Sequence, residues 1–310
     1  MDHAVEVRNL VKEYGSRRAV DGLSFHVEAG EIYALLGPNG AGKSTTLTIL
    51  TGLMAPTSGR VAVAGFDPLT DPIAARSRLG WAGQETSVYP DLTAAENLRL
   101  ACVLARVPRA ETRGRVGELL EAVGLSDRAR NRVGTFSGGM KRRLHLAVAL
   151  VHRPRVLLLD EPLVGIDPQT RAYLLGMIRS LAEQGAAVLL TTHDLADAEQ
   201  LAHRIGIMDR GRMLAEGTLE ELRARAGRHD VIRLSGSFGT EVEEALRAVP
   251  ARLLAAGEDR IVLEAEDGAA ALPAVLERLT ARGGEVRRAT IERPTLETLF
   301  LELTGRELRD

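Results

Sequence analysis

Residues 37–45 read GPNGAGKST: Gly37, Pro38, Asn39, Gly40, Ala41, Gly42, Lys43, Ser44 and Thr45. They match the pattern G-x-x-x-x-G-K-[ST] at every position, between an apolar run, Ile32 to Leu36, and a helix-like segment. In such a loop the glycines let backbone N–H groups surround phosphate groups at the start of a helix. Lys43 can reach the β- and γ-phosphates, and the Ser44 hydroxyl can bind Mg²⁺. The stretch predicts a nucleotide-binding site at the end of a strand.

An apolar run that ends in two carboxylates indicates that the nucleotide-binding protein also hydrolyses its nucleotide. Val156 to Leu159 is fully apolar, as a buried parallel strand is, and Asp160 and Glu161 follow it. We expect Asp160 to hold Mg²⁺ through water. Glu161 can orient or deprotonate an attacking water. Taken alone, the pair is equally typical of an acidic turn; the nucleotide loop favours the catalytic interpretation.

The sequence FSGGM, residues 136–140, is a second glycine-rich helix start. Ser137, Gly138 and Gly139 come directly before a helical pattern that runs from Met140 to Arg153. Free N–H groups at such a start form an anion-binding site. The chain therefore carries two phosphate-binding helix starts, but only one loop that bears a lysine.

These motifs, in this order, resemble those of the ATP-binding cassette (ABC) ATPases. The signature loop of that family usually reads Leu-Ser-Gly-Gly-Gln; the loop here keeps the Ser-Gly-Gly core but has Phe136 and Met140 at its ends. The Phe136 exchange conserves packing, whereas Met140 removes a polar contact. The resemblance implies that Ser137, Gly138, Gly139 and Met140 complete the ATP site of the opposite subunit in a dimer.

The same resemblance implies roles for four further residues. Tyr14, 23 residues ahead of Gly37, is similar to the aromatic residue that stacks on adenine, although a strand tyrosine can also serve packing alone. Gln84 resembles the glutamine that contacts Mg²⁺ and water and relays the nucleotide state to a membrane partner; the alternative is a surface polar residue. Asp167 resembles the residue whose loop crosses the dimer interface. His193 matches the histidine that contacts the γ-phosphate, and we interpret the other six histidines as structural.

Composition limits the classes of partner. The 310 residues include 40 basic and 42 acidic side chains and only 3% aromatics, which argues against a nucleic-acid-binding surface. We interpret the cluster Lys141 to Arg143 as a solvated helix face. The single cysteine, Cys102, predicts a reducing cytosol. No apolar run approaches the ~20 residues of a membrane span, so we expect any membrane link to come through a partner.

The element pattern predicts two domains. Alternating strands and helices over residues 1–225 indicate an α/β P-loop core with a parallel sheet, into which a helical lobe of about residues 91–153 is inserted. A polar linker, Arg223 to Arg228, leads to a small α+β accessory domain at residues 226–310. In its last helix Leu296, Leu299, Phe300 and Leu303 define one apolar face. We expect that face to close the core of the accessory domain.

The expected function follows from the resemblance, which covers residues 4–225. It implies an ATPase that uses ATP and Mg²⁺, pairs with itself, and drives a separate permease from the cytoplasmic face of the membrane. The tail, residues 292–306, resembles that of type-2 exporters related to daunorubicin-resistance ATPases, which favours export of a drug-like or lipid-like substrate. The alternatives are an importer ATPase with a regulatory C-terminal domain and a soluble ABC protein without a permease.

Overall fold

A computed structural model describes residues 3–225, 229–238, 242–246, 249–293 and 295–304. The chain forms two compact units, residues 1–216 and 217–310. The sequence analysis placed the boundary after residue 225, whereas the structure assigns the helix Leu219–Arg225 to the second unit. Residues 226–228 of the expected linker, and Pro294, Gly305 and Arg306 of the tail, lie outside the described residues.

The first unit combines nine strands and seven α-helices among its described residues. The strands are β1 Val5–Tyr14, β2 Arg17–Val27, β3 Ile32–Leu36, β4 Ser58–Val63, β5 Leu79–Ala82, β6 Val156–Asp160, β7 Ala187–Thr192, β8 Arg204–Asp209 and β9 Arg212–Gly217. The helices are α1 Lys43–Leu50, α2 Pro72–Arg76, α3 Ala94–Leu104, α4 Arg109–Ala122, α5 Gly138–Ala149, α6 Pro168–Glu183 and α7 Leu195–Leu201. Two 3₁₀ turns, Ser126–Arg128 and Val133–Thr135, precede α5.

A six-stranded sheet of order β5-β6-β7-β3-β8-β9 forms the centre of this unit. Neighbouring strands pair in parallel from β5 to β8, and every residue of β3, β6 and β7 is buried. Parallel strands buried on both faces require continuous apolar sequence, which is why these runs were recognisable. Their carboxyl ends share one edge, where open α/β sheets bind ligands. The α/β parallel core expected from the sequence is therefore confirmed.

A smaller antiparallel sheet, β2-β1-β4, shares a hydrophobic core with the central sheet. Val5, Val7 and Leu10 of β1 are buried in the same cluster as Leu35 and Leu158. This packing fixes the end of β1, and with it Tyr14, relative to the loop after β3.

Helices α3, α4 and α5 lie between β5 and β6 in the chain. Helix α3 begins with a capping box, in which Thr93 and Glu96 each satisfy the other's backbone N–H. Helix α4 had no counterpart in the sequence analysis. Only Val116, Leu119 and Leu120 are buried among its charged residues, so its apolar stripe is too short to be seen in sequence.

The second unit is an antiparallel sheet with a helix on each face. Its elements are α8 Leu219–Arg225, β10 Asp230–Ser237, α9 Val242–Leu246, β11 Arg252–Ala256, β12 Arg260–Ala265, α10 Gly268–Ala281, β13 Glu285–Glu292 and α11 Leu296–Thr304, and the strand order is β11-β12-β10-β13. On one face Ile232 and Leu263 pack with Val275 of α10. On the other face Val231 and Val262 pack with Leu301 of α11.

The last helix closes the core of its own unit, but with a different set of side chains from the expected one. Leu296, Leu299 and Phe300 are buried as expected, whereas Leu303 is 41% exposed and Leu301 takes part in the core. The buried face of this helix also includes Thr298 and Leu301, which are three residues apart. The centre of the buried face is therefore rotated away from Leu303.

No helix in the described part of the chain is long and apolar enough to cross a membrane.

Candidate nucleotide-binding site

The loop at residues 37–45 leaves the carboxyl end of β3 and enters α1. Gly42 has φ of 105°, and a Cβ there would lie 2.3 Å from the Ala19 carbonyl oxygen. A Cβ at Gly37 would lie 2.1 Å from the Met208 carbonyl oxygen. Both positions therefore require glycine, because the loop passes close to the Met208 and Ala19 backbones.

A cavity of about 290 Å³ opens beside this loop. It is lined by Tyr14, Arg17, Ala19, Asn39, Gly40, Ala41, Gly42, Lys43, Ser44, Thr45, Gln84 and Glu161. Most of the residues that the sequence analysis assigned to ATP binding thus border one space, at the start of α1, where the helix dipole favours an anion.

Lys43 is buried, and its ammonium group contacts main-chain carbonyls and a carboxylate. Its Nζ donates to the carbonyl oxygens of Gly37 at 2.6 Å and Pro38 at 3.1 Å. The Glu161 Oε1 lies 3.6 Å from the same nitrogen. Backbone carbonyls are weak competitors for an ammonium group, so a phosphate oxygen in this cavity can replace them with a stronger, charge-assisted bond.

Oxygen ligands for a divalent cation meet at the carboxyl end of β6. The Ser44 hydroxyl donates to Asp160 Oδ1 at 3.1 Å, and the Thr191 hydroxyl donates to the same oxygen at 2.5 Å. The Asp160 carboxylate is buried. A hydroxyl and a carboxylate at this separation fit the oxygen preference of Mg²⁺. Gln84 is exposed and lines the same cavity.

Glu161 adopts a backbone conformation that is rare for a non-glycine residue, with φ of 47°. Its N–H donates to the Thr191 hydroxyl at 3.0 Å. Its Oε1 lies 3.0 Å from His193 Nδ1. Lys43, Glu161 and His193 therefore form one cluster, in which a carboxylate can accept a proton from water while the Lys43 ammonium group neutralises phosphate charge.

Tyr14 borders the cavity and is not packed away: the side chain is 46% exposed. Its hydroxyl contacts Met54 Sδ at 2.8 Å, and Lys12 Nζ lies 5.2 Å from the ring centroid. These contacts hold the ring in place and leave much of its surface free for stacking.

The second glycine-rich helix start lies elsewhere: no residue from 137 to 140 lines the cavity. The Ser137 hydroxyl caps α5 by accepting from the Met140 N–H at 3.3 Å. A Cβ at Gly139 would lie 2.6 Å from Thr170 Oγ1 and 3.0 Å from Asp167 Oδ2. The signature loop and the Asp167 loop are therefore in close contact.

Asp167 begins α6 as its N-cap. Its Oδ1 accepts from the Thr170 N–H at 3.0 Å, and hydrogen bonds from Thr170 lower the pKa of Asp167. The exposed Asp167 and the exposed Ser137 thus lie on the same side of the unit, away from the cavity lining.

One expectation from the sequence is wrong. The cluster Lys141 to Arg143 is not a solvated helix face, because Arg142 is only 9% exposed and donates to five main-chain carbonyls. Arg143 donates to the Val123 carbonyl at 3.0 Å, and its guanidinium lies 5.5 Å from the Tyr173 ring. Arg142 shares a buried face of α5 with Gly139, His145, Leu146 and Ala149, and because that face carries two polar side chains, hydrophobic spacing alone does not indicate it.

Two more residues of the site were missed in the sequence. Arg17 lines the cavity beside Gly40, and Thr191 links Asp160 to Glu161. Neither belongs to a motif of its own, so only the fold reveals them.

Family models cover most of both units. Residues 20–164 match the family described as ABC transporter, and residues 217–304 match the family described as ATP-binding protein DrrA1-3-like, C-terminal domain.

Curated relatives match along almost the whole chain. The linearmycin resistance ATP-binding protein LnrL of Bacillus subtilis (strain 168) is 41% identical over 314 residues, which cover 99% of this chain and 100% of the relative. The daunorubicin resistance ATP-binding protein DrrA3 of Streptomyces coeruleorubidus is 41% identical over 313 residues, with 99% and 98% coverage.

Among solved structures, the ATP-binding cassette MJ0796, a dimer in a post-hydrolysis state with ADP and Pi, superposes with a TM-score of 0.63 at 28% identity. The match covers 69% of this chain and 98% of that one. The nucleotide cavity, the order of the motifs and these similarities lead to one conclusion: the chain belongs to the ABC transporter ATP-binding proteins, in the branch of the daunorubicin-resistance ATPases.

Proposed function

We propose that the cavity beside residues 37–45 binds ATP with Mg²⁺. Tyr14 stacks on the adenine, the loop N–H groups and Lys43 bind the phosphates, and Ser44, Gln84 and Asp160 hold the cation. Mg²⁺ neutralises charge on the phosphates. The observation that carries this assignment is the joint position of Lys43, Glu161 and the Ser44–Asp160 pair around one space.

Within that site we assign hydrolysis to three residues. Glu161 accepts the proton of the attacking water, His193 contacts the γ-phosphate, and Gln84 senses the cation and the water. The 3.0 Å contact between His193 Nδ1 and Glu161 Oε1 supports a shared role, because each limits where the other can point. Catalysis then consists of positioning and charge neutralisation during in-line attack.

We further propose that two copies pair head to tail around two ATP molecules. The signature loop does not line the cavity of its own chain, and it is exposed at Ser137 and Gly138. We infer that N–H groups at this helix start reach the γ-phosphate held by another copy, other than that of Met140, which donates to the Ser137 hydroxyl. Asp167, in contact with that loop, belongs to the same interface. In this arrangement each copy supplies its lysine-bearing loop to one ATP and its signature loop to the other, as two-fold symmetry requires.

The pair drives a separate integral-membrane permease, which holds it on the cytoplasmic face of the membrane. Export of a drug-like or lipid-like substrate is favoured over import because residues 217–304 match the DrrA1-3-like domain. The relatives are named for resistance to linearmycin and to daunorubicin. We assign the second unit a binding or regulatory role, and we expect no nucleic-acid partner.

The change Glu161→Gln tests the catalytic assignment. It keeps the shape of the side chain but removes the base, so we expect ATP binding within about threefold of the wild type and a loss of turnover of about 100-fold or more. Turnover and binding of a fluorescent ATP analogue are measured on the same samples. A mutant that hydrolyses ATP at close to the wild-type rate would show that Glu161 is not the base.

A further inference from the structure

The guanidinium group of Arg142 uses every donor it has. Arginine carries five N–H groups, and here each one points at a main-chain carbonyl oxygen. The acceptors are the carbonyls of Gly83, Gln84, Asp160, Glu161 and Pro162, at 3.0, 2.7, 3.2, 2.5 and 3.1 Å respectively. None of these five acceptors is a side-chain carboxylate, so the group acts as a brace between backbone segments.

The five carbonyls belong to two segments that leave neighbouring strands. Residues 83–84 follow β5, residues 160–162 lie at the end of β6, and the two strands pair in parallel. The pairing of these two strands extends to Ala82 and Leu159, one residue before each segment. The planar fork of Arg142 spans the two segments, and its rigid geometry fixes both the distance and the orientation between them.

The brace holds the peptide groups on both sides of Glu161. One Nη2 hydrogen bond goes to the Asp160 carbonyl, in the peptide before Glu161, and the other goes to the Glu161 carbonyl, in the peptide after it. Between these two peptides Glu161 has φ of 47°. Such a conformation persists only where its surroundings determine it, and fixing both flanking peptides does so.

The group that holds these segments is carried by the signature helix. Arg142 is in the second turn of α5, three residues after Gly139. Gly139 packs against Thr170 and Asp167. A single side chain therefore connects α5, whose first turn carries the signature loop, to the backbones of Gln84 and Glu161.

We propose that Arg142 is a positioning residue that sets the distance between Gln84 and Glu161 in its own ATP site and couples that distance to the signature loop. The proposal rests on the function proposed above, because it takes Gln84 and Glu161 as the residues around the attacking water. Occupancy of the signature loop by the partner's ATP thereby adjusts the water site of the same chain.

Arg143 provides a matched control. It is the next residue of α5 and also donates to main-chain carbonyls, those of Val123 and Gly124, but it lies over Tyr173 and contacts no residue of the cavity. Loss of Arg143 removes the same chemistry from the helical lobe without touching Gln84 or Glu161.

The test compares Arg142→Lys, Arg142→Gln and Arg143→Gln in the full-length chain. Lysine keeps the charge but has three donors on one nitrogen, so it cannot span both segments. We expect kcat to fall about tenfold for Arg142→Lys and about 30-fold for Arg142→Gln, with KM for MgATP within about threefold. Arg143→Gln should keep both constants within about twofold. A wild-type kcat for Arg142→Lys, or equal changes of kcat and KM in Arg142 and Arg143 variants, overturns the proposal.

Amide hydrogen exchange without nucleotide gives a second readout that does not depend on hydrolysis. Arg142→Lys should speed exchange in the loops after β5 and β6 and leave the loop after α4 unchanged. Arg143→Gln should speed exchange in the loop after α4 and leave the loops after β5 and β6 unchanged. Unchanged exchange after β5 and β6 in Arg142→Lys would show that Arg142 does not hold these two segments in place. If the wild-type chain fails to hydrolyse ATP, the proposed function fails, and the exchange pattern still decides the role of Arg142.

Discussion

The two glycine-rich helix starts of this chain have similar sequences and different surroundings. The start of α1 lies at the edge of a parallel sheet, where a buried lysine and the carboxylates of β6 complete a cavity. The start of α5 lies in the helical lobe, where Ser137 is exposed and no residue from 137 to 140 reaches that cavity. A glycine-rich helix start thus forms a nucleotide-binding site only when other residues complete it. In the first case the same chain supplies them; in the second we propose that another copy does.

Loss of the lysine should affect the first helix start most. Lys43→Ala removes an ammonium group from the cavity lining, and its charge-assisted bonds to phosphate contribute about 2–3 kcal/mol. We expect ATP affinity to fall about 100-fold at protein concentrations where the chain is monomeric, with turnover lost. Titration with a fluorescent ATP analogue measures this. Unchanged affinity would mean that the loop binds phosphate through its N–H groups alone.

The second helix start should respond differently. Ser137→Ala removes a hydroxyl that lies outside the cavity, so monomer affinity for ATP should stay within about twofold of the wild type. Turnover should fall about tenfold, because the N–H groups of the loop remain while one donor to the transition state is lost. Affinity at dilute protein and the rate at high protein concentration are measured together. Equal losses of affinity in Ser137→Ala and Lys43→Ala would remove the distinction between the two helix starts.

Sequence alone predicted the first helix start more completely than the second. Buried runs such as Val156 to Leu159 show the parallel strands because both faces of the sheet are covered, and the carboxyl ends of those strands then meet. Lys43, Asp160 and Glu161 could be placed on that basis, whereas Gln84 was placed only by its resemblance to the family's glutamine.

The surroundings of the second start were misjudged because they depend on contacts between distant segments. Arg142 donates to carbonyls 18 to 59 residues away in the chain, and arginine is ordinarily a surface residue. Helix α4 and the turn of α11 toward Leu301 were missed for a related reason. The buried face of α4 has few apolar residues, and that of α11 includes the polar Thr298. Packing against neighbouring elements, rather than the spacing of apolar residues in the sequence, therefore determines which side of each helix faces inward.

A smaller effect concerns how α5 is anchored. Burial, together with the positive charge of Arg142, lowers the pKa of His145 from 6.5 to about 4. The folded chain therefore keeps this imidazole neutral while the unfolded chain protonates it, and stability is lost as the pH falls from 6.5 towards 4. At pH 5 His145 should lower the free energy of unfolding by about 2 kcal/mol relative to pH 7.

Unfolding of the first unit by urea, followed by the fluorescence of Trp81, checks this effect because the chain has a single tryptophan. His145→Leu should reduce the difference in unfolding free energy between pH 7 and pH 5 by about 2 kcal/mol. His229→Leu serves as the control because it lies in the other unit, whereas the fluorescence of Trp81 follows the first unit. Equal pH dependence in wild type and His145→Leu would contradict the assignment of this pH effect to His145.

The central claim is that the two helix starts act on the same ATP from different copies. Mixing the Lys43→Ala variant, which should lack turnover, with the Ser137→Ala variant, which should keep about a tenth of it, tests this directly. In a mixed dimer of Lys43→Ala and Ser137→Ala, both defects fall on one site, and the other site combines an intact lysine loop with an intact signature loop. Half of the dimers in an equal mixture are mixed, so ATPase activity should rise to about a quarter of the wild-type value. If the mixture shows only the average of the two separate variants, each chain completes its own site and the account is wrong.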